Sequence, residues 1–237
     1  PKFMLRGIMP DYFSSVESLN AFFDQNLKLL MHKYSSLKTT QVINKALLFR
    51  QGEKCEQVWL ITEGVVKLSR LTKQGSEVTV ALMKKGDVIG NLYEHSSQSV
   101  MMETAQTLGE VSCFCFFYHD FKMMLSDYPA LAWWVIGRNY IHQQNSTRKL
   151  CTTLTQSVEM RVAETLLELA SVFGSRCTHG YALEIYLTQQ QVADLAGANR
   201  SVVSTILNNF RSRGMLDYTR DQICINDATL RDFCYAK

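Results

Sequence analysis

The stretch Leu187-Thr-Gln-Gln-Gln-Val-Ala-Asp-Leu-Ala-Gly-Ala-Asn-Arg-Ser-Val-Val-Ser-Thr-Ile-Leu-Asn-Asn-Phe-Arg-Ser-Arg-Gly-Met-Leu216 constrains this chain more than any other, because it spells two short helices about a tight turn. Thr188 can cap the first helix, Gln191 three residues on completes a capping box, and Val192, Leu195 and Ala196 share one inward face. Gly197 must end that helix, since a reversal there needs a residue that takes positive φ without strain, and Asn199 offers a side-chain acceptor to the free amides of the next. In the second helix Val203, Ile206, Leu207 and Phe210 recur at i, i+3, i+4 and i+7, a buried stripe. The other face carries Ser201, Ser204, Thr205, Asn208 and Arg211, with Arg200 in the first turn. It is polar and free of carboxylates, the character of a helix that presents side chains to base edges in the major groove of double-stranded DNA. Thr188, Gln189 and Asn199 complete the DNA-facing candidates, and Arg211 and Arg213 are placed to reach phosphates. After Gly214, Met215 to Ile225 reads as strand, turn, strand: a wing.

Composition limits the alternatives. The 237 residues, 46% hydrophobic and 20% charged, fit a globular protein of two domains. No apolar run reaches the length of a membrane span and Pro1-Lys-Phe-Met-Leu-Arg6 is no secretory signal, so a cytoplasmic protein without membrane contact is expected. Seven cysteines, at 55, 113, 115, 151, 177, 224 and 234, argue against a disulfide framework. A net charge of +3, with acids and bases about equal beyond Val158, means that positive charge is focused on the second helix rather than spread over a domain. Cys113-Phe-Cys115 and His119 lack the second ligand pair of a zinc site and are assigned to core packing. A cupin-like metal enzyme is the alternative of a different class. The five histidines never form His-x-His, and no nucleophile elbow, phosphate loop or His-Glu-x-x-His occurs, so no enzyme and no metal or cofactor is expected.

Taken in order, Ser14 to Tyr34 predicts a helix packed as a lid through Val16, Leu19, Phe22, Phe23, Leu27 and Leu30. From Gln41 to about Tyr118, short runs rich in β-branched and aromatic residues alternate with turns at Gln51-Gly52-Glu53, Glu63-Gly64, Lys73-Gln74-Gly75 and Lys85-Gly86-Asp87, a compact antiparallel barrel or sandwich. Strand signals cease near Phe121. Pro129 to Leu154 then predicts one long helix, whose wide apolar face calls for a second copy as cover. Met160 to Phe173 predicts another helix, broken by Gly174, and Tyr181 to Tyr186 a strand leading into the helix-turn-helix.

Gln51-Gly52-Glu53, Trp59-Leu-Ile-Thr-Glu-Gly64-Val-Val-Lys-Leu68, Gly75, Lys85-Gly86-Asp87-Val-Ile-Gly90-Asn-Leu92, the long helix and the terminal Leu-Thr-Gln-Gln together resemble the CRP/FNR family of bacterial transcription regulators. The resemblance implies an α+β chain: an N-terminal cyclic-nucleotide-binding-type β-roll (1–127), a long dimerisation helix (128–157) and a C-terminal winged helix-turn-helix (158–237). It implies a homodimer that binds a near-palindromic promoter site, meets RNA polymerase there and answers a small-molecule effector. Two recognition helices would lie one turn of DNA apart, roughly 34 Å. Relatives often read bases with Arg-Glu and a second Arg; here Arg200 matches the first, while Ser201 and Thr205 replace the others, so a different operator is expected.

Where cyclic-nucleotide binders of the family carry Gly-Glu-Leu and a following Arg-Ser, this chain has Gly90-Asn91-Leu92 and no arginine from Ser96 to Thr104. A buried phosphate requires a cation, so cyclic AMP is not the expected effector. Ser146 and Thr147 do stand where nucleotide binders use a hydroxyl pair. No cysteine precedes Cys55, against an amino-terminal iron–sulfur cluster. Ala81, Met83, Leu92, Tyr93, Met101, Trp133, Trp134, Tyr140 and His142 could line an apolar, aromatic pocket between barrel and long helix. Gly7-Ile-Met-Pro-Asp-Tyr-Phe13, Ile89-Gly-Asn-Leu-Tyr93 and Arg138-Asn-Tyr140 are similar to the halophenol-responsive regulators of this family. Tyr140 matches their long-helix tyrosine, whereas Ala81, Asn91 and Gln143 replace their other phenolate-holding residues, which implies a different or neutral aromatic ligand.

Overall fold

The computed structural model describes residues 12–92, 100–218 and 222–235. Tyr93 and the tip of the wing lie outside them. The chain forms two compact units, one comprising the chain through Val66 with Leu82–Gln144, the other Lys67–Ala81 with the chain from Asn145 onward.

The first unit opens with α1 (Val16–Lys33), capped by Ser15, whose side chain accepts from the Ser18 amide while the Ser18 hydroxyl accepts from the Ser15 amide. The sheet is antiparallel: β1 (Lys38–Val42) pairs with β6 (Thr104–Phe117), Lys38 opposite Cys115, and β2 (Leu47–Phe49) also pairs with β6. The next strands are β3 (Gln57–Leu71), β4 (Glu77–Lys84) and β5 (Val88–Gly90), with sheet order β1-β6-β3-β4 and β5 set against β3. This is the expected β-roll. Its core is aromatic: Phe23 stacks on Phe114 with centroids 4.5 Å apart and meets Phe22 and Phe116 edge-on. The helix expected as a lid is thus part of the core, with Leu19, Phe23 and Leu30 wholly buried.

The sequence predicts no helix between the last strand and Pro129, yet α2 (Tyr118–Asp127) stands there. It buries only Phe121 and Met124, and Phe117 before it makes no side-chain cap, so neither periodicity nor a start signal marks it. α3 (Pro129–Thr155) matches the long helix expected. The β4–β5 turn is tied to it: Trp134 donates its indole N–H to the Gly86 carbonyl at 2.8 Å, and the wholly buried Asp87 bonds Arg138 Nε at 2.7 Å and the Lys84 amide at 2.8 Å. The His142 ring nitrogen lies 3.0 Å from the same carboxylate. Burial raises the Asp87 pKa, but the His142 hydrogen bond and charge, the Lys84 amide and the Arg138 cation outweigh it, leaving the carboxyl below its ordinary value.

In the second unit α4 (Val158–Phe173), capped by Ser157, buries Val162, Ala163, Leu166 and Leu169. Gly174 does more than break it: β7 (Gly174–Cys177) begins at that residue, where a Cβ would sit 2.3 Å from the Ala170 carbonyl. β7 forms a hairpin with β8 (Gly180–Leu183), so the strand expected over Tyr181–Tyr186 starts one residue earlier, stops three sooner and has a partner the sequence reading missed. α5 (Gln189–Ala196), α6 (Arg200–Ser212), β9 (Leu216–Tyr218), β10 (Ile223–Ile225) and α7 (Asp227–Tyr235) follow, and the second sheet runs β7-β8-β10-β9. The wing is present as the antiparallel pair β9–β10, Leu216 opposite Ile225. Among the described residues no helix is long and apolar enough to cross a membrane, and no cluster of three His, Cys, Asp or Glu could hold a metal ion.

Candidate nucleic-acid interface

The two helices of the motif are fixed by local chemistry. The Thr188 hydroxyl accepts from the Gln191 amide at 3.2 Å while Gln191 Oε1 accepts from the Thr188 amide at 2.9 Å, the reciprocal box the sequence predicts. Gly197 ends α5 in the left-handed region, φ 62° and ψ 46°. A Cβ there would meet nothing nearer than Thr153 Oγ1 at 3.4 Å, so the glycine is required by backbone strain rather than crowding. Gly197→Ala should therefore destabilise the protein by about 1–2 kcal/mol, read as a lower urea midpoint with an unchanged m-value.

Asn199 departs from expectation. Its side chain makes no cap bond; only its carbonyl serves the helix, accepting from the Val203 amide at 3.0 Å. The Asn199 side chain is exposed and not committed to the helix start, and no acidic residue occupies the first turn of α6. Val203, Leu207 and Phe210 are buried as predicted, Phe210 against Phe233 of α7 at 5.4 Å. Arg200, Ser201, Thr205, Asn208 and Arg211 are exposed, Ser204 half-buried, and the Thr205 hydroxyl donates to the Ser201 carbonyl at 3.2 Å. Arg200 makes no ion pair among the described residues. Thr188 is exposed and Gln189 half-buried at the start of α5.

The remaining cations have internal partners that spacing did not reveal. Arg211 Nε bonds Asp217 at 2.9 Å, and its guanidinium lies 5.2 Å from the Tyr218 ring centroid. Arg213 approaches Glu159 at 3.6 Å and lies over Phe233. Arg161 donates to the Gly197 carbonyl at 3.0 Å and the Thr153 carbonyl at 2.9 Å, bracing the turn. Asp194 accepts from Gln190 at 2.8 Å and from the Thr79 amide at 3.0 Å. Arg161 and Asp194 border a cleft of ≈ 560 Å³ lined also by Glu77, Gln190, Asn199 and Arg200 among others. Of them Asn199 and Arg200 are candidates named from the sequence; Arg161 left no sequence signal, because its partners are backbone carbonyls.

The residues expected to meet an effector have more varied settings. Trp134 and Leu92 pack against the aromatic core. Met83 and Met101 are buried, the latter's backbone bonded to Gly52 and Glu53. Asn91 and Ala81 are half-buried, and Gly90 ends β5 at φ 112°, where a Cβ would sit 2.4 Å from the Gln57 carbonyl. Tyr140 and Gln143 are exposed on α3. So are Trp133, Ile136, Thr147, Leu150 and Leu154, with Trp133 67% and Leu154 77% accessible. Positions 133, 136, 140, 143, 147, 150 and 154 alternate by three and four, the spacing of a coiled-coil seam.

Two family models match the chain in order. The cyclic nucleotide-binding domain covers residues 41–128 and the Crp-like helix-turn-helix domain residues 160–230. The chain belongs to the CRP/FNR family. It is a DNA-binding transcription regulator of that family, and its matched relatives are regulators rather than enzymes. The cAMP-activated global transcriptional regulator CRP of Salmonella typhimurium is 26% identical over 191 residues, 78% of this chain and 84% of the relative. The c-di-GMP responsive global regulator CLP of Xanthomonas campestris has the same fold, with a TM-score of 0.72 at 15% identity over 85% of this chain and 98% of the other. So has CprK in complex with OCPA, with a TM-score of 0.64 at 19% identity over 96% and 98%. Within the CRP/FNR family the amino-terminal matched region falls on the β-roll and α2, and the carboxy-terminal one on α4 to α7.

Proposed function

We propose that this CRP/FNR-family regulator is a cytoplasmic homodimer that binds a near-palindromic promoter site, contacts RNA polymerase there and is switched by a small apolar or aromatic effector. The observation that carries the reading is the exposed seam on α3: Trp133, Ile136, Tyr140, Leu150 and Leu154 at heptad spacing, interrupted by Gln143 and Thr147. Burying a side chain of that size is worth about 1.5–3 kcal/mol, and a symmetric pair of α3 helices buries each one twice. A central polar pair fixes register at some cost in stability. Two-fold pairing of α3 brings two copies of α6, each with Arg200 exposed at its first turn, to two half-sites. Asn199 and the open amides of α6 would serve the neighbouring phosphate.

The sensing unit supports an apolar ligand. Half-buried Leu92 is apolar, Tyr140 and Gln143 stand exposed on α3, and Asn91 takes the place of the carboxylate that would hold a ribose. CprK holds OCPA and CLP answers c-di-GMP, so one fold serves chemically different effectors. A second reading, control by a cyclic nucleotide, rests on the hydroxyl pair Ser146 and Thr147; Asn91 and the absence of arginine from Ser96 to Thr104 stand against it.

The test is selection of the full chain on a duplex library with a randomised core of about two helical turns, repeated without ligand, with halogenated phenylacetic acids and with cyclic AMP. The expected product is a two-fold symmetric sequence, enriched only with an aromatic acid. Enrichment of a lone half-site would remove the dimer, and enrichment with cyclic AMP would install the second reading. Leu150→Glu with Leu154→Glu should convert the protein to a monomer in sedimentation, since opposed carboxylates in the seam repel and must be desolvated. A dimer that survives both substitutions would place the interface elsewhere.

A further inference from the structure

Asn208 lies in the middle of the polar arc of α6, between the directions of Arg200 and Thr205 at 100° per residue. Its Oδ1 accepts the phenol O–H of Tyr218, on the first wing strand, at 2.6 Å. That separation belongs to O–H···O bonds and is shorter than N–H···O bonds usually are. The phenol therefore decides which way the amide stands, with its carbonyl toward the wing and its NH2 outward. The phenol is itself held: the Arg211 guanidinium covers the ring and is anchored by Asp217 on the same strand. An unconstrained asparagine pairs with adenine by donating to N7 and accepting from N6. Here the carbonyl oxygen is turned toward the wing, where it accepts from Tyr218, rather than outward beside the NH2 group.

We propose that Tyr218 is a specificity-determining positioning residue, which presents Asn208 to DNA as a hydrogen-bond donor and so disfavours adenine, in favour of the acceptor edges of guanine or thymine, at one base pair of each half-site. The inference rests on the proposed seating of α6 in the major groove.

The test passes Tyr218→Phe, Asn208→Ala and the double variant, as full chains, through the randomised duplex library. Tyr218→Phe keeps the ring under Arg211 and deletes only the hydroxyl. The wild type should exclude adenine at one position of each half-site. Tyr218→Phe should gain about five- to tenfold for adenine there, the low end of a bidentate contact. Asn208→Ala should flatten that position alone, and the double variant should match it. A Tyr218→Phe protein that keeps the wild-type preferences, whether at equal or uniformly weaker affinity, overturns the inference and leaves the DNA reading standing. A wild type that enriches no sequence overturns the DNA reading and this inference with it.

Discussion

Arg200→Ala is expected to weaken binding to the selected operator by about 1–3 kcal/mol per half-site, the worth of a bidentate arginine–guanine contact. For two symmetric half-sites that is roughly 2–6 kcal/mol, about 30-fold to 10⁴-fold in Kd. The size of the effect follows from the setting of Arg200. It is exposed at the first turn of α6, a turn that holds no acidic residue, and makes no ion pair among the described residues, so its fork is available to DNA. Arg211 differs: its Nε is engaged by Asp217, and Arg211→Ala should cost less affinity than Arg200→Ala. The measurement is fluorescence anisotropy at fixed salt on the operator and on a scrambled duplex, because the phosphate contribution varies with salt. Equal losses on both duplexes would make Arg200 a phosphate contact.

Asp87→Ala should destabilise the protein by about 3–5 kcal/mol, the cost of removing one partner from a buried ionic cluster. The carboxylate is wholly buried, and Arg138, His142 and the Lys84 amide all converge on it. Alanine would leave a cation and an amide without their acceptor and loosen the β4–β5 turn from α3. The pH dependence has a definite sign. Because the Asp87 carboxyl is held below its ordinary value, its contribution is fully present above about pH 4, the unfolded aspartate value, and is lost as pH falls through the folded one. The stability difference between wild type and Asp87→Ala in urea should narrow as pH falls below about 4. A difference that is constant across the acid range would show that packing alone sets the cost.

Much of the fold was legible in the residues. α1, α3, α4, α5 and α6 follow from apolar spacing, and the capping box of Thr188 and Gln191 and the left-handed Gly197 are short-range chemistry. α2 and the β7–β8 hairpin were not legible. α2 has two buried residues and no cap, and β7 opens on a glycine whose role is to let the Ala170 carbonyl approach. The recognition face was legible as a list of side chains, but not as a set of free and engaged ones.

That division has a physical cause. Helix periodicity, capping and positive-φ turns depend on neighbours a few positions away, so the sequence by itself determined α1, α3, α4, α5 and α6, the inward stripe of α6 and the position of the turn before it. Ion pairs and side-chain hydrogen bonds depend on which distant residues the sheet registers and helix packing bring within about 3 Å. Only the tertiary structure decided that Arg211 meets Asp217, that Arg161 braces the Gly197 carbonyl, that Asp87 gathers Arg138 and His142, and that Tyr218 takes one end of the Asn208 amide.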